Sequence, residues 1–264
     1  MKKWIILFIF TIILSACGDV NLTPTPVDDG LTHYFWVGDD LIQTGTLDMQ
    51  VLLLLELSGY TQMLHTGRSI SPRNTLSSPL NTQEFLDHTI LENEDYIFLQ
   101  AFGIQRDFKE SEYKKNSQAW IDYFRSQNKD VIVFYPWFSA VDTASEMKRL
   151  DKLVLELVWK NNLTMVPVGP AWEAALAERP DINLYASDGI HPSAQGLYLT
   201  SCVFYFTITG ESPQGNPVYT SIGNDHPDQI VKLDGETIEF LQRVAWETIN
   251  EYVKNDEFRV IIKK

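Results

Sequence analysis

Short apolar runs return along this chain at a nearly constant interval, and that interval restricts the fold more than any other feature of the sequence. Tyr34–Val37, Gln62–Leu64, Tyr96–Leu99, Val131–Tyr135 and Thr164–Val168 are each strand-sized. Their starts lie about 30 residues apart, the length of one strand–helix–strand unit. Between them the apolar positions switch to helical spacing. Leu47, Val51, Leu54, Leu55 and Leu57 mark one helix, closed by Gly59. Tyr113, Trp120, Ile121 and Phe124 mark the next; Met147, Leu150, Leu153, Val154, Leu157 and Val158 mark a third. Ala194–Phe206 and Glu236–Val253 predict two further helices, the latter with Asp234 as N-cap. Strands alternating with helices give a parallel sheet covered on both faces, an α/β fold. The region 31–264, roughly 230 residues, suits one such domain better than two small ones.

In an open α/β sheet, ligands bind beyond the carboxyl ends of the strands. Asp39 and Asp40 directly follow the first predicted strand, Gln100 the third, and Tyr135-Pro136-Trp137 the fourth. The segment Asp188–His191 comes after the fifth strand and its helix. Topology alone therefore gathers these residues on one rim.

Two blocks on that rim carry chemistry. In Asp188-Gly189-Ile190-His191-Pro192-Ser193 a carboxylate stands three positions before an imidazole. Such a carboxylate can hold the histidine in one tautomer and stabilise its charged form, as a general base acting on a hydroxyl requires. Val37-Gly38-Asp39-Asp40-Leu41 lies near the start of the domain. The first block resembles the last conserved block of the SGNH/GDSL hydrolases, and the second resembles their Gly-Asp-Ser-Leu block with Asp40 at the serine position. The resemblance runs from about Leu31 to Gly210 in order of elements and implies a flavodoxin-like three-layer α/β/α sandwich with a five-stranded parallel sheet. It implies ester hydrolysis, often of acyl groups on lipids or carbohydrates, with Asp188 and His191 as triad members. It also implies an oxyanion hole built from the backbone N–H after the nucleophile, a glycine of the second block and an asparagine of the third. Gly67 in His65–Ser69 stands for that glycine. No Gly-x-Asn-Asp block is present, Asn74 is poorly placed, and Gln100 is the amide that follows the matching strand.

Asp40 sets the functional question. A serine hydroxyl gives its proton to the histidine and attacks as an alkoxide; a carboxylate has no such proton and would pair with His191 instead. Three readings stand open. The protein is a hydrolase relative retained for binding an ester or glycan ligand, a live hydrolase with Asp40 as nucleophile, or an α/β scaffold unrelated to ester chemistry. Ser69 and Ser71, in the region of Gly67, are hydroxyls that could substitute, and neither sits on a strand-to-helix turn.

The N-terminus reads as an export signal. Lys2 and Lys3 precede an apolar run from Trp4 to Leu14, followed by Leu14-Ser15-Ala16-Cys17. The run is short of the about 20 residues a membrane-spanning helix needs. Leu-Ser-Ala-Cys resembles the bacterial lipobox, which implies a signal peptide over 1–16, lipid on Cys17, a tether over 17–30, and a protein held at the cell envelope by its lipid. The net charge of −14 gives no electrostatic case for nucleic acid or anionic headgroups. The same charge argues against a two-metal polymerase site at Gly38-Asp39-Asp40. His33, His65, His88 and His226 lack metal-ligand spacing, so neither a metal nor another cofactor is expected. Cys202 sits in an apolar stretch and reads as a buried, inert thiol. Trp36, Trp137 and Trp172 read as core, with a sugar-binding face as the alternative.

Overall fold

The computed structural model describes residues 30–43, 46–70, 76, 94–103, 107–216 and 233–254. The segment expected to be a signal peptide (1–16), Cys17, most of the expected tether, Ser71 and Asn74 lie outside the described residues.

The strands are β1 (Thr32–Gly38), β2 (Met63–Ile70), β3 (Tyr96–Gln100), β4 (Asp130–Tyr135) and β5 (Thr164–Pro167). They form one five-stranded sheet in the order β2-β1-β3-β4-β5, and every pairing is parallel. The helices are α1 (Asp40–Gln43), α2 (Leu47–Leu57), α3 (Glu110–Ser126), α4 (Ala144–Asn161), α5 (Val168–Glu178), α6 (Ala194–Thr209) and α7 (Gly235–Lys254). The parallel sheet covered on both faces that the apolar intervals predict is present, in the flavodoxin-like three-layer form that the resemblance implies, and its cause is visible in the strands. Tyr34, Trp36, Phe98, Ile132, Phe134 and Val166 point to one face, where they pack with α2, α5, α6 and α7. Phe35, Val37, Ile97, Leu99, Val131, Val133 and Met165 point to the other, against α3 and α4. Successive side chains of a strand alternate between faces, so a sheet buried on both sides needs apolar residues without interruption, as these strands have.

Helix ends follow local chemistry. Thr143 caps α4 through a capping box with Glu146, each satisfying a backbone N–H of the other. Asp234 caps α7, its carboxylate accepting from Thr237 N at 2.9 Å. Ser193 caps α6, its hydroxyl accepting from Gln195 N and Gly196 N. Val168, expected at the end of the fifth strand, is instead the first residue of α5. That helix follows β5 with no intervening loop, and it brings Trp172 under the rim.

The three tryptophans flagged as a sugar-binding alternative are all core. Trp36, Trp137 and Trp172 are each no more than 2% exposed, and Trp137 stacks on Trp172 with ring centroids 4.5 Å apart. Cys202 is buried as well, and burial pushes its thiol up to about 12. A thiol so placed is inert. Among the described residues no helix is long and apolar enough to cross a membrane.

Candidate active site

The strand order reverses between β1 and β3. From β1 the chain steps to β2 on one side, then returns to β3 on the other. The crevice at such a switch point is where open α/β sheets bind ligands. Asp39 and Asp40 follow β1 there, and Gln100 ends β3 beside them.

The β1–α1 turn is tight for a reason that can be named. A Cβ on Gly38 would lie 2.3 Å from Gln100 Oε1 and 2.4 Å from Ile42 Cδ1, so only glycine lets the two strands' ends close up. In the space gained, Gln100 and Asp39 form a closed pair. Gln100 Nε2 donates to Asp39 Oδ1 at 2.7 Å, and Gln100 Oε1 accepts from Asp39 N at 3.1 Å. The second amide hydrogen goes to Phe102 O at 2.8 Å. Both side chains are about 98–99% buried, and swapping the amide oxygen and nitrogen would set oxygen against two acceptors.

The Asp188–Ser193 block builds its own scaffold. Asp188 Oδ1 accepts from Ile190 N at 2.9 Å and His191 N at 3.0 Å, which leaves Oδ2 for His191 Nδ1 at 2.5 Å. Gly189 takes a positive φ of 69°, the left-handed conformation that favours glycine and lets the loop turn back on itself. Neighbouring elements then clamp it. Trp137 Nε1 donates to Ile190 O, Ala140 N to Gly189 O, and Ala186 N to His191 O, each at 2.8 Å. Tyr185 Oη donates to Phe138 O at 2.9 Å, tying the same two loops together.

These two halves meet at one ring. His191 Nε2 lies 3.1 Å from Asp40 Oδ2, across 151 residues of sequence. The imidazole thus stands between two carboxylates, its side chain 19% exposed while those of Asp40 and Asp188 are 50% and 45% exposed. A carboxylate can only accept a hydrogen bond, so satisfying both contacts requires a proton on each ring nitrogen. Burial works against that charge, but the hydrogen bonds and negative charges of Asp188 and Asp40 outweigh it, and the His191 pKa is raised. Partial burial pushes the Asp188 carboxyl up; the His191 ring and the two backbone N–H groups more than offset this and bring it down to about 2.

The structure therefore brings Asp40, Asp188 and His191 together. It does not bring Gly67 and Gln100 to them as oxyanion donors. Gly67 lies inside β2 opposite Phe35, three positions before the Ile70–Gly38 pair that ends the strand. At about 3.3 Å per residue that is about 10 Å short of the rim. Gln100 reaches the rim, but both of its amide hydrogens are committed inside the protein. The backbone N–H after Asp40 is committed too, since Leu41 N donates to Asp39 Oδ1 at 3.1 Å. The three donors that the resemblance implied are thus placed or occupied otherwise. Sequence reasoning placed Asp39 and Trp137 on the rim but gave neither the role it has there. Asp39 collects the donors, and Trp137 holds the histidine loop; only their positions directly after β1 and β4 gave a signal. Among the described residues no three His, Cys, Asp or Glu side chains converge as metal ligands.

Comparison of the whole fold with solved structures finds related architectures at low identity. A DUF4886 family protein from Bacteroides uniformis matches with a TM-score of 0.59 and 14% identity, covering 88% of this chain and 98% of that one. An acetyl xylan esterase matches with a TM-score of 0.56 and 17% identity, over 66% and 98%. A protein classed as a GDSL-like lipase from Parabacteroides merdae gives a TM-score of 0.51 and 16% identity, over 66% and 93%. What the chain shares with these structures is the fold, a parallel sheet flanked by helices. No family model matches the chain, and no curated protein matches it in sequence.

The electrostatics of the site predict how stability depends on pH. The raised His191 pKa contributes stability that is complete below the ordinary value of about 6.5 and is lost as pH rises through the folded value. The lowered Asp188 pKa contributes stability that is complete above about 3.9 and is lost as pH falls through about 2. The window in which both are whole is about pH 4 to 6.5. Urea unfolding of wild type and His191→Gln should differ most within it, by about 1 kcal/mol because the carboxylates are half exposed. A difference that grows from pH 7 to 9 would contradict the arrangement.

Proposed function

We propose that this chain is a lipid-anchored cell-envelope protein whose SGNH-hydrolase-like site binds an acylated or glycan ligand, with serine-type esterase activity impaired by Asp40. The observation that carries the reading is the 3.1 Å contact between Asp40 Oδ2 and His191 Nε2. A nucleophilic hydroxyl would need its proton taken by that nitrogen. Here the nitrogen already faces a carboxylate, which offers no proton and favours the protonated ring. The commitment of Leu41 N and Gln100 Nε2 to Asp39 supports the same reading, because acyl transfer depends on donors aimed at the developing oxyanion. Acetyl xylan esterase is the activity named for a similar fold, and an acylated glycan is accordingly the ligand class we favour.

Two experiments test the two parts of this reading. Wild type, Asp40→Ser and His191→Ala should be compared on p-nitrophenyl acetate. A positioned general base contributes about 10²–10⁴-fold, and one lost oxyanion donor removes about 10²–10³-fold. Wild type should therefore match His191→Ala, and Asp40→Ser, with the implied donors still committed or misplaced, should gain no more than about tenfold. Vigorous wild-type turnover that disappears in His191→Ala would sink the reading. For the anchor, metabolic labelling with a palmitate analogue should mark the wild type, and Cys17→Ala should accumulate as unlabelled precursor. Equal labelling of both would refute lipid attachment at Cys17.

A further inference from the structure

The same three side chains, useless for serine chemistry, are complete for another reaction. We infer that Asp40 is a carboxylate nucleophile toward activated saturated carbon, such as an alkyl halide or an epoxide, with His191 and Asp188 hydrolysing the resulting ester. This goes beyond the ligand-binding reading above and rests with it on the Asp40–His191 contact and the committed donors. Three observations carry it. Asp40 is half exposed at the switch-point crevice, and among the described residues its Oδ1 accepts no hydrogen bond. Its other oxygen is held by His191, so the carboxylate is oriented without being buried. And the oxyanion donors are committed to Asp39.

The last point decides which electrophile fits. Attack by a carboxylate on an ester passes through a tetrahedral oxyanion and yields an anhydride, which is less stable than the ester it came from. Displacement at saturated carbon has no oxyanion in its first step and yields an ester. With an alkyl halide, Asp40 Oδ1 forms the new C–O bond as the carbon–halogen bond breaks, and halide leaves to the solvent that already reaches the rim. With an epoxide, a ring C–O bond breaks instead, and the alkoxide takes a proton from water. Esterification then removes the negative charge from Asp40. His191 loses one of the two carboxylates that hold its proton, releases that proton to solvent, and becomes a neutral base still oriented by Asp188.

His191 next takes a proton from water, and the water oxygen adds to the Asp40 carbonyl carbon. The ester C–O bond breaks, the alcohol oxygen leaves with the proton held by His191, and the carboxylic acid loses its own proton to solvent. The balance is alkyl halide plus water giving alcohol, halide and a proton, or epoxide plus water giving a diol. No oxidant or metal enters. Because the second step develops charge where Leu41 N and Gln100 are not free to help, the ester should accumulate.

The test uses purified protein, 1-bromobutane and 1,2-epoxybutane, and water labelled with oxygen-18. Intact mass spectrometry of the wild type should show one adduct, and peptide mapping should place it on Asp40 rather than on other exposed carboxylates. After a turnover in labelled water, oxygen-18 should appear in the Asp40 side chain, since the enzyme's own oxygen departs with the alcohol. His191→Asn should still form the adduct but release it at least about 100-fold more slowly, the lower end of a general base's contribution. Asp40→Asn should form none. Adducts spread evenly over surface carboxylates, no adduct at all, or label found only in the product would each overturn the inference. Since the aryl-ester assay reads a different reaction, failure here leaves the impaired-esterase reading standing, and the reverse holds.

Discussion

One imidazole ring joins the two ends of the sheet-forming sequence. Asp40 leaves the first strand and His191 follows the last, and their contact spans 151 residues. Everything near the rim is arranged around that ring. Asp188 spends one oxygen on two backbone N–H groups so that the other can face Nδ1. Trp137, itself stacked on Trp172 in the core, fixes the loop through Ile190 O. Gly38 permits the approach that locks Gln100 onto Asp39. A buried network of this kind holds only if every member is satisfied, because an unpaired buried donor or acceptor costs about 1–3 kcal/mol. The Asp39–Gln100 pair meets that condition with four hydrogen bonds to named partners.

Much of this was legible in the sequence, because the features concerned are periodic or local. The alternation of short apolar runs with helical spacing follows from a sheet buried on both faces, and each of the five runs falls on a strand, though β2 continues to Ile70 beyond the Gln62–Leu64 run. The Asp188–His191 pair is local as well, since a three-residue separation with glycine between leaves few ways to fold. The convergence of Asp40 with His191 could be anticipated from topology, which sends both to one edge.

What escaped was the use to which polar atoms are put. Gln100 was correctly located and wrongly employed. Nothing in Phe98-Leu99-Gln100-Ala101 reveals that both amide hydrogens are taken by Asp39 and Phe102. Gly67 failed for a different reason. Its distance from the rim depends on strand register, and β2 shifts register against β1 between Tyr34 and Phe35, which no single-strand pattern records. The boundary of β5 was missed at Val168, where an apolar residue continues a strand pattern into a helix without a break.

The central claim is that His191 is held doubly protonated between Asp40 and Asp188. Nitrogen-15 chemical shifts of the His191 ring, recorded near pH 6.5 in protein labelled at histidine, read the state of each nitrogen directly. The account predicts that both nitrogens carry protons, and that Asp40→Asn restores a proton-free Nε2 at the same pH. A wild-type ring already showing one unprotonated nitrogen there, with shifts unchanged by Asp40→Asn, would contradict it.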